Sequence, residues 1–224
     1  MMTEKTLQVL KNYATINPNI VIENGNVVKT ISEARAIVSK SSVDVDFPLT
    51  FGIFDLSNFL NVLSLVESPT LDFKNDYVEI KDQTGRTSIK YHYSDPEVLT
   101  SPKKEVIMES SDVEFLLDRD TLSKIRRASS VLGHQELHVT NNNGDIYLVV
   151  VDGSDKTSNA YTVAVNGSSR QDVNFDLVFN INHLKMIDGD YKVKVSSKLI
   201  SHFINTNGNL EYWVALDKSS KYGE

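Results

Sequence analysis

Cysteine is missing altogether from the 224 residues. That rules out disulfides, thiolate zinc sites and cysteine nucleophiles, and it suits a reducing compartment. Long apolar runs are missing too. Nothing approaches the roughly 18 residues of a membrane span, and the N-terminus lacks a signal peptide's apolar stretch. A soluble, intracellular protein is expected. Asn166-Gly-Ser fits a glycosylation acceptor but carries little weight without a secretion signal. Positive charge is scarce: Lys and Arg number 23 against 30 Asp and Glu, a formal net charge of −7. Taken alone, that argues against nucleic acid. The distribution says more, because Thr121 to Leu132 carries Lys124, Arg126 and Arg127 and no acid, while Asp72, Asp76, Glu79 and Asp82 lie elsewhere.

Catalytic signatures are also absent. No Gly-x-Ser-x-Gly elbow occurs, and Asn141-Asn-Asn-Gly-Asp lacks the Lys and following helix of a phosphate loop. His134-Gln-Glu-Leu-His138 misplaces the Glu of a zinc helix, and Gly133 would end any helix there. Asp152-Gly-Ser-Asp155 lacks the remaining spacing of a calcium loop and reads as a turn. No enzyme, metal or cofactor is expected.

What is present is a repeat. Val45-Asp-Phe-Pro-Leu-Thr-Phe-Gly-Ile-Phe-Asp-Leu56 recurs 128 positions on as Val173-Asn-Phe-Asp-Leu-Val-Phe-Asn-Ile-Asn-His-Leu184. Val45/Val173, Phe47/Phe175, Leu49/Leu177, Phe51/Phe179, Ile53/Ile181 and Leu56/Leu184 are identical without a gap. Spacing of two marks a strand with one apolar face, and the change of spacing at the last pair marks a handover to a helix. One domain design used twice is therefore expected, and 224 residues accommodate two domains of about 110.

Taken in order, Glu4–Ile16 reads as an amphipathic helix capped by Thr3 and stopped by Asn17-Pro-Asn. Ile20–Glu23 and Val27–Ile31 read as strands joined by a hairpin at Asn24-Gly25-Asn26. Ala34–Val38 reads as a short strand, and the repeated strand runs Val43–Phe54. Asp55 caps a helix over Leu56–Val66 with Ser57, Asn58, Asn61 and Ser64 on its polar face. Leu71–Phe73, Tyr77–Lys81 and Arg86–Tyr93 alternate as strands. Residues 95–112 carry two prolines and mixed charge, as a connector does. A helix then spans Asp120–Val131. Strands follow at Glu136–Thr140, Ile146–Val151 and Ala160–Val165, with a hairpin at Asn141–Asp145. After the second copy of the repeat come a short helix at Asn182–Ile187 and strands at Tyr191–Val195, Leu199–Asn205 and Leu210–Leu216. The divisions are thus 1–94, 95–112, 113–217 and a loose tail, 218–224. The class is α+β: each half packs two helices on a curved antiparallel sheet.

Leu10-Lys-Asn-Tyr-Ala-Thr-Ile-Asn17, Phe54-Asp-Leu-Ser-Asn-Phe-Leu-Asn-Val-Leu-Ser-Leu-Val66 and Leu184-Lys-Met-Ile-Asp-Gly-Asp-Tyr-Lys192 resemble the DNA polymerase sliding clamps of T4-like bacteriophages. Tyr212-Trp-Val-Ala-Leu216 is similar to that family's closing strand. The likeness covers nearly the whole chain, in order and at matching spacing. It implies the DNA clamp fold, assembled as a closed homotrimeric ring with helices lining a hole around duplex DNA. It implies a processivity factor that holds the replicative DNA polymerase on its template in the host cell cytoplasm. An ATP-driven clamp loader and late transcription factors are further implied partners.

Carried over by helix position, the DNA-facing residues are Lys5, Lys11, Lys124, Arg126, Arg127 and Lys185, with His183 beside them. A ring held by topology must slide, so a few cations inside and an acidic exterior suit it better than tight phosphate binding. Ser57, Asn58 and Asn61 offer only weak phosphate hydrogen bonds, so the lining is not uniformly basic. The family's partner pocket maps to Val98, Leu99, Val106, Ile107, Trp213, Ala215 and Leu216, with the lone tryptophan as its anchor. Subunit contact maps to edge strands, at Arg86, Ser88 and Lys90 on one and Tyr161 and Val163 on the other. Two other readings stay open on the residues alone: a β-rich structural or adaptor protein making protein contacts only, and an enzyme with a site between the halves.

Overall fold

Phe47 and Phe175, Phe51 and Phe179, Ile53 and Ile181, and Leu56 and Leu184 are all buried, so four of the six repeated pairs anchor a core in both halves. Each such side chain contributes about 1.5–3 kcal/mol by leaving water. In the computed structural model the described residues are 2–142, 144–155, 157–170 and 172–223. They form two compact units, Met1–Glu105 and Val106–Glu224, divided within the expected connector.

The first unit opens with α1 (Glu4–Ile16), whose buried face is Thr6, Val9, Leu10, Tyr13 and Ile16. Strands β1 (Ile20–Ile22), β2 (Gly25–Ile31), β3 (Ile37–Phe47) and β4 (Phe51–Ile53) follow. The expected hairpin at Asn24-Gly25-Asn26 is not formed: β1 pairs antiparallel with β4, and β2 pairs with β3. Asn24 explains the divergence. Its amide donates to the Pro48 carbonyl at 2.6 Å and its backbone N–H to Thr50 Oγ1 at 3.1 Å, so the turn is tied to a distant loop. The repeated strand is broken here, because Pro48 has no N–H to give a ladder, and Leu49 is only half-buried where Leu177 is fully buried. Helix α2 (Leu56–Ser64) buries Leu56, Phe59, Leu60 and Leu63. Strands β5 (Thr70–Phe73), β6 (Tyr77–Lys81) and β7 (Ser88–His92) make a three-stranded sheet in that order. A 3-10 turn spans Pro96–Val98.

The second unit runs β8 (Val113–Leu117), α3 (Arg119–Leu132), β9 (Glu136–Asn142), β10 (Asp145–Val151), β11 (Tyr161–Val165), β12 (Gly167–Ser169) and β13 (Phe175–Asn180). Strands β14 (Tyr191–Ser196), β15 (Ile200–Asn205), β16 (Leu210–Ala215) and β17 (Lys221–Tyr222) complete it. One sheet has the order β11-β10-β9-β13-β17, and the run β12-β8-β14-β15-β16 belongs to another. The hairpin at Asn141–Asp145 is present as Asn142 opposite Asp145. Gly144 takes φ +91 there, and Asn143 lies outside the described residues. The pairing of β13 with β9 repeats that of β4 with β1, as a duplicated design requires.

Two expectations fail in this half. The helix foreseen at Asn182–Ile187 is a single 3-10 turn, Ile181–His183, so three α-helices, not four, occur among the described residues. The tail 218–223 is not loose. Asp217 N–H donates to the Val178 carbonyl and Gly223 N–H to the Asn174 carbonyl. Val178 N–H donates to Ser220 Oγ, and β17 pairs with β13 while Tyr222 stacks on Phe175. An otherwise open edge of β13 is what recruits it.

Candidate nucleic-acid interface

Each helix is set by a side-chain cap and a narrow apolar face, which fixes what it offers to solvent. Thr3 Oγ1 accepts from Thr6 N–H at 3.1 Å at the start of α1, leaving Lys5 and Lys11 exposed. Asp55 Oδ1 accepts from Asn58 N–H at 2.8 Å at the start of α2. Its exposed face is Ser57, Asn58, Asn61 and Ser64, with no charge. Asp118 Oδ1 accepts from Thr121 N–H at 2.7 Å, and Gly133 at φ +73 closes α3, a conformation that suits glycine. With Thr121, Leu122 and Ile125 buried, Lys124 and Arg127 stand exposed. Lys124 lies 2.6 Å from Asp120 one turn back, an exposed pair of little strength that a phosphate can displace.

Arg126 departs from the sequence reading. Its guanidinium is 2.6 Å from Asp188 and donates to the carbonyls of Leu184 and Met186 at 2.8 and 2.7 Å. It is occupied inside the second unit, whereas Lys185 beyond it is exposed. The neighbouring backbone is held by two tyrosines: Ile187 N–H donates to Tyr212 Oη at 3.1 Å, and Tyr191 Oη donates to the Ile187 carbonyl. Burial pushes the Tyr191 hydroxyl up to about 12, so it stays a donor. These side-chain bonds replace the i to i−4 bonds of the helix that was expected. Six residues are in any case too few to nucleate one cheaply. His183 is half-buried, and burial together with Lys185 lowers its pKa, so it is a neutral neighbour.

Both proposed contact strands are sheet edges: β7 ends the three-stranded sheet and β11 ends the sheet running to β17. Arg86 lies before β7, in the β6–β7 turn, where its N–H donates to Asp82 Oδ1. Ser88 Oγ donates to Glu79, and the Lys90 ammonium sits 5.1 Å from the Tyr77 ring centre. Tyr161 and Val163 are half-buried on β11. Beside β11 is an apolar groove lined by Lys124, Arg127, Ala128, Val131, Leu132, Ala160 and Tyr161. Val131 in it is 75 % exposed and Leu65, just past α2, is 73 % exposed. Sequence periodicity missed both, because each falls at a helix end where the apolar stripe stops being buried.

Of the expected pocket residues in the first unit, Val98 is exposed and Leu99 is buried against Gly52, where a Cβ would come within 2.6 Å of Leu99 Cδ1. In the second unit Ile107 and Ala215 are exposed, Val106 is half-buried and Leu216 is buried. Trp213 is not a core residue. It is half-exposed on β16 and lies flat on His202, ring centres 4.5 Å apart and planes 11° from parallel. His202 is in turn held by Glu211 at 2.8 Å. Among the described residues no group of three or more His, Asp or Glu is placed to hold a metal. His138 pairs instead with Asp176 and Glu136, and Asp152 caps its own turn through Ser154.

Residues 3–100 match the family described as DNA polymerase processivity factor, and residues 114–218 match the one described as gp45 sliding clamp, C terminal. The chain belongs to the sliding-clamp family. Curated sliding clamps similar to it include those of Vibrio phage KVP40, 28% identical over 96% of this chain and 98% of that one, and of Enterobacteria phage T4, 24% identical over 99% and 98%. Among solved structures, the proliferating cellular nuclear antigen of Entamoeba histolytica superposes with a TM-score of 0.68 at 15% identity, covering 94% of each chain. The PCNA2–PCNA3 complex of Sulfolobus tokodaii gives 0.67 at 12% identity and the same coverage. These structural likenesses fix the clamp fold. The clamp is a DNA polymerase processivity factor, without chemistry of its own.

Proposed function

We propose that three copies of this clamp close head to tail into a ring around duplex DNA, and that the ring slides while holding the replicative polymerase to its template. The observation that carries this is the pairing of exposed cations on capped helices, Lys5 and Lys11 on α1 and Lys124 and Arg127 on α3, with two unpaired strand edges, one in each unit. A head-to-tail contact joins β7 of one copy to β11 of the next, and repeated it removes every such edge. Lys5, Lys11, Lys124, Arg127 and Lys185 supply the phosphate-facing charge, and Arg126 contributes to that surface from behind. Few cations on an acidic body leave the ring free to slide, because each phosphate contact adds affinity and salt dependence.

The edge contact extends onto the helices. The α3–β11 groove is lined in part by Lys124 and Arg127, while exposed Leu65 shares a surface depression of the first unit with Glu67 and Asp82. Leu65 of one copy fills the groove of the next, with opposite charges around it. Ser88, Lys90, Tyr161 and Val163 form the strand part, with Arg86 at its end. In the second unit exposed Ile107 and Ala215, with half-buried Val106 and Trp213, take the polymerase's docking segment, whereas Leu99 and Leu216 are buried and offer it no surface. An ATP-driven loader and late transcription factors are further partners in the host cytoplasm. Half-exposed Trp213 is the natural anchor. The reading is tested by charge reversal. Lys124→Glu with Arg127→Glu should abolish polymerase stimulation on primed circular DNA, and unchanged stimulation would contradict it.

A further inference from the structure

Segment 184–188 is presented by side chains rather than by a helix. Leu184 and Met186 are buried and Lys185 between them is exposed. The two flanking carbonyls converge on one guanidinium, that of Arg126, which Asp188 Oδ1 holds from the far side at 2.6 Å. Three bonds in a fixed planar fork leave it no freedom to follow a moving phosphate. Behind it the chain is pinned by Tyr191 and Tyr212, both fully buried. At Gly189 a Cβ would lie 2.8 Å from Asn205 Nδ2, so a side chain there would have to displace that amide.

We propose that Arg126 is a positioning residue: its bonds to Leu184, Met186 and Asp188 hold the strap so that Lys185, not Arg126, meets the DNA backbone. Asp188 is then required for DNA association although it is an acid on a DNA-facing strap. This rests on the DNA-facing reading of Lys185. It does not depend on the roles of Lys5, Lys11, Lys124 or Arg127, whose variants test the clamp function separately.

The two roles open to Arg126 predict opposite signs. If Arg126 were a direct phosphate contact, Asp188→Ala would remove a competing acid, free the guanidinium and tighten binding. If it positions Lys185, Asp188→Ala loosens the strap and weakens binding. The experiment is salt-dependent association of the intact protein with circular duplex DNA, for wild type, Lys185→Ala, Asp188→Ala and the double variant. Amide exchange over residues 184–188 is read in parallel. The expected result is that Lys185→Ala flattens the log–log salt slope by about 0.9 per phosphate that it leaves unneutralised. Asp188→Ala should weaken binding in the same direction, the double variant should be no weaker than Lys185→Ala alone, and Asp188→Ala should raise exchange in the strap with native mass unchanged. Tighter binding by Asp188→Ala, additive losses, an unprotected strap in the wild type, or no effect of Lys185→Ala would each overturn the proposal. Arg126→Lys serves as a second variant, keeping the charge while losing the fork; wild-type affinity in it would also count against positioning.

Discussion

Asp176 Oδ1 lies 2.7 Å from Nδ1 of His138 on the adjacent strand, while Glu136 Oε2 lies 3.2 Å from Nε2. Burial lowers the pKa of this imidazole, but the hydrogen bonds and charges of Asp176 and Glu136 more than offset it, so His138 titrates above its ordinary value. A group whose folded pKa is raised contributes stability that is complete below its unfolded pKa. That contribution is lost as pH rises through the folded one. Relative to His138→Gln, the wild type should therefore lose stability from about pH 6.5 upward. Urea unfolding at a series of pH values checks this, and a difference independent of pH would refute it.

The repeated phenylalanines give a stability prediction. Phe51 and Phe179 occupy equivalent places and are 2 % and 1 % exposed. Each is in edge-on or tilted contact with other rings, Phe51 with Tyr93 and Phe179 with Phe203. Truncating either to Ala should cost about 3–5 kcal/mol, each within its own unit. Amide exchange would show which unit opens, and a loss spread equally over both from either variant would contradict the assignment.

The subunit contact predicts the effect of a single charge. Val131→Glu places an anion in the α3–β11 groove beside exposed Leu65's proposed seat, without disturbing a buried residue. Native mass should fall from three times the 25.1 kDa chain mass toward one, with far-UV circular dichroism unchanged. A trimer of wild-type stability would remove the groove from the interface.

Trp213 is the chain's single tryptophan, so intrinsic fluorescence from tryptophan reports one place. Its stacking on His202 means that a polymerase seated on β16 should shift the emission, and Trp213→Ala should weaken that binding by about 2 kcal/mol or more, as an anchor does. Titration with the cognate polymerase measures both. No spectral change on saturation would place the docking surface elsewhere.

Much of the fold is legible from side-chain spacing, because it depends on local burial. The period-two stripe of Phe47, Phe51, Phe175 and Phe179 identifies the duplicated core, and Thr3 and Asp55 mark helix starts by residue type. What spacing does not show is set at a distance. Asn24 has the residue type of a hairpin turn but answers to Pro48 and Thr50. Leu184–Ile187 has helical spacing, yet Arg126, Tyr191 and Tyr212 supply its hydrogen bonds. The tail has a loose composition because the edge of β13 that holds it is written 42 residues earlier. Among the candidate cations, Lys5, Lys11, Lys124, Arg127 and Lys185 are exposed as their sequence positions suggest, and Arg126 differs because its partner Asp188 is remote in sequence.

The most direct test of encirclement is topological. The clamp is loaded onto nicked circular duplex DNA, washed at a salt concentration that screens phosphate contacts, and then half of the sample is linearised with a restriction enzyme. Encirclement predicts that protein stays on the circle and is lost from the linear molecule unless its ends are blocked. Equal retention on circular and linear DNA, or equal loss from both, would contradict it.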